Sequence, residues 1–143
     1  MPNDDKAIEK QPVDEQPFTP TKDWFLSDLV QVCNNTSSSY GITLFMNGLI
    51  ITGDLISGKE YFELLSDLLS SPEFNASDLF LKEKEFYSTE QVQGTQTTYI
   101  HLKNARSIVG NGQELPSNGC LWRGQLSHVS GFCFGTFSVN SNN

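Results

Sequence analysis

The sequence predicts an α+β chain, mainly β: a small curved antiparallel sheet of five strands, preceded by a helix and interrupted by a helical insertion between strands two and three. Three observations carry this. Residues Ile42 to Ile56 (ITLFMNGLIITGDLI) are two apolar, β-branched runs flanking Asn47-Gly48, the pair that best tolerates the two positive φ angles of a type I′ hairpin turn. Two other stretches, Trp24 to Cys33 and Tyr61 to Leu69, place apolar residues at helical spacing instead. After residue 96, three further segments read as strands separated by glycine-rich turns.

Taken in order, residues 1–22 are polar and acidic with prolines at 2, 12, 17 and 20, and are expected to be a disordered tail because they cannot bury enough apolar surface. Asp23 is a candidate N-cap for a helix that should face the sheet through Leu26, Leu29, Val30 and Cys33, ending at the polar run Asn34 to Ser39. In the hairpin, apolar residues fall on both faces, which predicts cover from both sides. Gly53, with no side chain to pack, predicts a bend or bulge. Ser57 and Glu60 fit a capping box, opening a helix whose stripe Tyr61, Leu64, Leu65, Leu68 and Leu69 should point inward until Pro72 stops it. A short helix over 77–84 should turn Leu79, Phe80 and Phe86 inward, and Thr89 to Gln96 reads as a mobile polar loop that completes the insertion over 58–96. Thr97 to Lys103 alternates, with Thr98, Ile100 and Leu102 facing in and Tyr99, His101 and Lys103 facing out; Asn104 to Val109 continues as an extended piece. Gly110-Asn111-Gly112 and Pro116 to Gly119 bracket a surface loop. Cys120 to His128 and Phe132 to Val139 are the last strands, and 140–143 a frayed end, so residues 23–139 are expected to form one domain.

Composition narrows the functions. The net charge is −8 with only nine Lys and Arg, none in a run, which opposes nucleic acid or an anionic membrane as partner. Three scattered cysteines and the absence of a charged start followed by an apolar h-region fit a reducing cytoplasm. No apolar run approaches the ~20 residues that span a bilayer.

Catalytic chemistry is looked for and not found. The chain has no phosphate-cradling loop that opens a helix and no nucleophile elbow. Cys33, Cys120, Cys133, His101 and His128 lack the close pair spacing of a zinc site, so neither metal nor other cofactor is expected. Glu60, Glu63 and Asp67 repeat along the polar side of a helix, the pattern of a solvated face. What remains is a candidate interaction surface: Tyr99, His101 and Lys103 on one strand, and on another Trp122 with Arg123, which read equally as residue types enriched where proteins touch or as a half-buried Trp packed by the Arg stem.

Two resemblances add to this. Ile42 to Leu55 with Asn47-Gly48 and Gly53-Asp54-Leu55 resembles the first Sm motif, Leu121 to Leu126 (LWRGQL) is similar to the second, and Ile100 to Asn104 looks like the strand between. That resemblance implies a closed Sm-like or SH3-like five-stranded barrel, and a ring-forming RNA-binding protein as the alternative function. The chain departs from it by an insertion of roughly forty residues, Gly58 to Thr97, where that family keeps a short turn, and only Arg123-Gly124 remains of its RNA grip. The second resemblance covers most of residues 40–138: the blocks Leu44 to Phe62, Tyr99 to Arg106 and Leu121 to Gly135 look like the gas vesicle accessory protein U (GvpU) family. It implies a cytoplasmic, non-enzymatic protein, with no catalytic residues, that associates with gas vesicles. Its partners would be shell or other gas vesicle proteins and further copies of itself, and its role would be vesicle assembly or clustering.

Overall fold

The hairpin forms as its turn chemistry dictates. In a computed structural model, which describes residues 22–88 and 97–139, β1 (Tyr40–Met46) and β2 (Leu49–Ile56) pair antiparallel with Met46 opposite Leu49. Asn47 and Gly48 between them have φ of 51° and 76°, as a type I′ turn requires. Three expected features, the tail over 1–22 apart from Lys22, the loop over 89–96 and the end at 140–143, lie outside the described residues.

The element order is α1 (Trp24–Thr36), β1, β2, α2 (Gly58–Leu69), a 3₁₀ turn (Ala76–Phe80), α3 (Leu81–Ser88), β3 (Tyr99–Ile108), β4 (Glu114–Gln125), a second 3₁₀ turn (Leu126–His128) and β5 (Gly131–Phe134). All five strands join one antiparallel sheet in the order β4-β3-β2-β1-β5. The protein is thus α+β, mainly β. The expected barrel, however, is not closed: β4 and β5 are the two edges, and no ladder joins them.

The sheet must still curl strongly. Laid flat, its outer strands would stand four spacings, about 19 Å, apart. The link from Gln125 to Gly131 includes a 3₁₀ turn and reaches only about 16 Å. Leu126, at the start of that link, is buried in the core and its amide donates to Thr98 O at 2.9 Å. Phe25 of α1 leans on Phe132 and Phe134 at ring distances of 5.8 and 6.4 Å. Side chains therefore cover this region where a barrel would continue its hydrogen bonds, and β5, four residues long, is too short to supply them.

One face of the sheet holds the core. Ile42, Leu44, Ile51, Leu55, Ile100 and Leu102 pack against Leu26, Val30 and Cys33 of α1. Asp23 caps that helix through Oδ1, which accepts from the amides of Phe25 (2.9 Å) and Leu26 (3.3 Å). The bulge anticipated at Gly53 is present, but its extra residue sits on the partner strand. Thr52 pairs with Arg106 and Asp54 with Lys103, leaving Asn104 at φ 52° as the unpaired residue. A Cβ on Gly53 would lie 3.0 Å from both Ala105 Cα and Lys103 O, so a side chain there would press on the backbone of the neighbouring strand.

The opposite face is covered twice. At one end the chain after β5 crosses β1 and β2. Phe137 N donates to Thr52 Oγ1 (2.8 Å), and Thr43 Oγ1 donates to Gly135 O (2.8 Å). With the Thr43 proton committed, Thr52 supplies the hydrogen for the 3.0 Å bond between the two hydroxyls. These buried hydroxyls therefore form a satisfied chain. Residues 135–139 run as a strap and not as the continuation of the last strand that the sequence suggested. The penultimate strand also differs: β4 begins at Glu114, taking in the second half of the loop expected over 110–119 with a register irregularity, and stops at Gln125.

At the other end α2 and α3 cover the sheet, and here the sequence reading of orientation fails. Gly58, Phe62 and Ser66 are the buried residues of α2, while Leu68 and Leu69 of the expected inward stripe are 70% and 49% exposed. Ser57 Oγ accepts from Glu60 N (3.0 Å), giving half of the capping box; the Glu60 carboxylate instead binds Lys103 Nζ at 2.9 Å. On α3, Phe86 and, before it, Leu79 are exposed, while Phe80 and Tyr87 pack on Phe62 at 5.8 and 6.0 Å. The helix turns toward aromatic neighbours because Gly58 lets the Tyr87 ring lie against the α2 backbone, where any Cβ would overlap that ring.

Candidate functional site

The α2–α3 cover assembles an aromatic and basic cluster over β3 and β4. Strand register sets its base: His101 is the direct partner of Arg123, and Tyr99 of Gln125. The Arg123 guanidinium lies 3.8 Å from the centre of the Tyr99 ring and 5.7 Å from that of Phe62, a cation held on ring faces. Lys103, two residues beyond His101, pairs with Glu60 across to α2.

His101 is the greatest departure from expectation. The strand alternation placed it outward in solvent, yet its exposure is 0%. Tyr61, Tyr87 and Phe62 surround it at ring distances of 4.7, 5.4 and 5.9 Å. Neither ring nitrogen has a hydrogen-bond partner. Burial, reinforced by the nearby Arg123 charge, lowers its pKa from 6.5 to about 3, so the imidazole is neutral at physiological pH. The Tyr61 and Tyr87 hydroxyls are pushed above their ordinary value, again chiefly by burial.

Of the five residues singled out in the sequence, the structure gathers Tyr99, His101 and Arg123 into this cluster, sets Lys103 at its margin, and puts Trp122 elsewhere. Trp122 is half-buried against the α1 side of the sheet, its ring lying across Gly124 where a Cβ would overlap it. His101 offers nothing to a partner; Tyr99 and Arg123 remain reachable. Sequence reasoning missed Phe62 and Tyr87. The signal for Phe62 was its spacing with Gly58 and Ser66, a small–large–small line at i, i+4 and i+8 that competes with the leucine stripe.

Because α2 is rotated this way, its leucines are left over a groove of about 740 Å³ between α2 and β4, lined by Tyr61, Leu64, Leu65 and Leu68 on one side and Cys120 and Leu121 on the other. At the opposite edge, beside β5, Trp24, Phe25 and Phe134 are exposed and touch in a chain with Phe132. Both edges of the sheet therefore carry apolar surface next to an edge strand with one free side.

Among the described residues, no group of three His, Cys, Asp or Glu side chains is placed to hold a metal ion. The buried Cys33 thiol is raised to about 11 by desolvation, which makes it a poor nucleophile. No helix among the described residues is long and apolar enough to cross a membrane.

The architecture defines a class: a small α+β protein, mainly β, whose open curled sheet is covered by helices and flanked by apolar edges. Compared with family models, residues 23–137 match Gas vesicle protein GvpU-like, and the chain belongs to that family. It is a gas vesicle-related family and not a family of enzymes. Neither the curated proteins nor the solved structures contain a match.

Proposed function

We propose that this protein is a non-enzymatic gas vesicle accessory protein that works by self-association and by contacts with shell or other gas vesicle proteins, in vesicle assembly or clustering. Family membership supplies the setting. The observation that supports the mode of action is the leucine groove along edge strand β4: Leu68, 70% exposed, and its neighbours present apolar surface that no described part of the chain covers. Burying such side chains against a partner is favourable by about 25 cal/mol per Å². Several weak contacts of this kind at two edges give multivalent association without a single tight interface.

Leu68→Glu tests the reading, since it alters an exposed position and leaves the core intact. Light scattering across a concentration series should show association of the wild-type protein and its reduction in the variant, and cells carrying the variant should show dispersed vesicles. A wild-type protein that stays monomeric at every concentration and salt, in cells whose vesicle distribution is unchanged by deletion of the gene, refutes it.

A further inference from the structure

A second feature of the α2–α3 cover lies apart from the leucine groove and is independent of the self-association reading. Between α3 and the start of β3 is a cavity of about 250 Å³. Its walls are largely aromatic: Phe62, Phe86, Tyr87 and Tyr99. Its polar lining is Asn34, Lys82, Glu83 and Arg123, with Thr97 and Thr98 just before β3.

The polar groups are incompletely used. Asn34 Oδ1 accepts from Gly58 N at 2.9 Å, which fixes the amide and leaves Nδ2 buried with no partner. Glu83 Oε2 is likewise buried and unpartnered. Arg123 rests on rings and makes no ion pair with a described residue. Buried polar atoms are nearly always satisfied, so an orphan donor and an orphan acceptor at one apolar cavity point to something that occupies it. Apolar walls with a few convergent polar groups are the usual form of a small-molecule site. Two cations against one carboxylate make this spot locally positive in a chain of net charge −8.

We propose that this cavity binds a small aromatic carboxylate. The volume lies just below the range of about 300–1,000 Å³ typical of drug-sized ligands, so one or two rings fit. The ring would stack among Tyr87, Phe86 and Tyr99, the anion would face Arg123 and Lys82, and a ring N–H or hydroxyl would donate to Glu83. Asn34 Nδ2 would donate to the remaining carboxylate oxygen.

Indole-3-acetate is a suitable probe, with indole-3-acetamide and tryptamine as neutral and cationic counterparts. Titrated into the full chain and followed by NMR, indole-3-acetate should give saturable shifts at Tyr87 and Tyr99. Affinity should fall at least tenfold for the amide, for tryptamine and for Arg123→Gln, with far-UV circular dichroism verifying that the variant is folded. Glu83→Gln should weaken binding less than Arg123→Gln. The proposal is overturned by the absence of saturation up to about 5 mM, by equal affinity for all three probes, by shifts that map away from the cavity, or by a crystal structure with the probe present in which only ordered water fills it.

Discussion

Replacing His101 by Phe should flatten the acid side of the protein's stability profile. The imidazole is wholly buried among Tyr61, Phe62 and Tyr87, with Arg123 opposite it on β4, and its pKa falls from 6.5 to about 3. A base whose pKa is lowered by folding binds its proton in the unfolded chain first. Its contribution is therefore neutral above pH 6.5, and stability is lost as pH falls from 6.5 towards 3, at up to ~1.4 kcal/mol per pH unit. Integrated from pH 7.5 to pH 5, the loss from this residue is about 2 kcal/mol. Phe keeps an aromatic ring in the cage and removes the titration, and every other ionisable group is shared, so the difference between the two proteins isolates His101. Urea unfolding at half-unit intervals over that range measures it. Whatever constant offset the larger ring and the loss of an unpaired nitrogen set at pH 7.5, the gap should shift by about 2 kcal/mol in favour of the variant by pH 5. Profiles that stay parallel within ~0.5 kcal/mol would show that the imidazole is hydrated or partnered and that the burial argument is wrong.

Three other perturbations read different parts of the fold. Thr52→Val removes the acceptor of the Phe137 amide and the hydrogen given to Thr43; unfolding experiments should show a loss of about 1–2 kcal/mol, and hydrogen exchange at Phe137 should accelerate. Gly48→Val places a β-branched residue at φ 76° and should cost about 1–2 kcal/mol by thermal melting although nothing lies within 4 Å of its Cβ, so a neutral result would mean that the turn relaxes. Lys103→Met breaks the 2.9 Å bond to Glu60, but both side chains are about one-third exposed, so denaturant midpoints should move by less than ~0.5 kcal/mol.

Local chemistry was legible where it acts over a few residues. Asp23 before an apolar helical run and Asn47-Gly48 between two β-branched runs specify backbone geometry through short hydrogen bonds or sterics and appear as read, and Ser57 caps its helix as read although Glu60 does not return the bond. The blocks at Leu44–Phe62, Tyr99–Arg106 and Leu121–Gly135 were likewise sufficient to place the chain in its family.

Orientation was decided elsewhere. A helix with both a leucine stripe and the line Gly58, Phe62 and Ser66 can bury either, and the choice fell to the second because Tyr87, from the next helix, packs on Gly58 and Phe62. The same packing buried a histidine that strand alternation had put in water, and left Leu68 and Leu69 exposed. Whether the curled sheet would close was also a matter of reach: a short last strand and a connection that buries Leu126 left two free edges. Turns and caps are written in neighbouring residues because their forces are short-ranged. Which face meets the core depends on what the rest of the chain brings to it, and only the assembled tertiary structure supplies that.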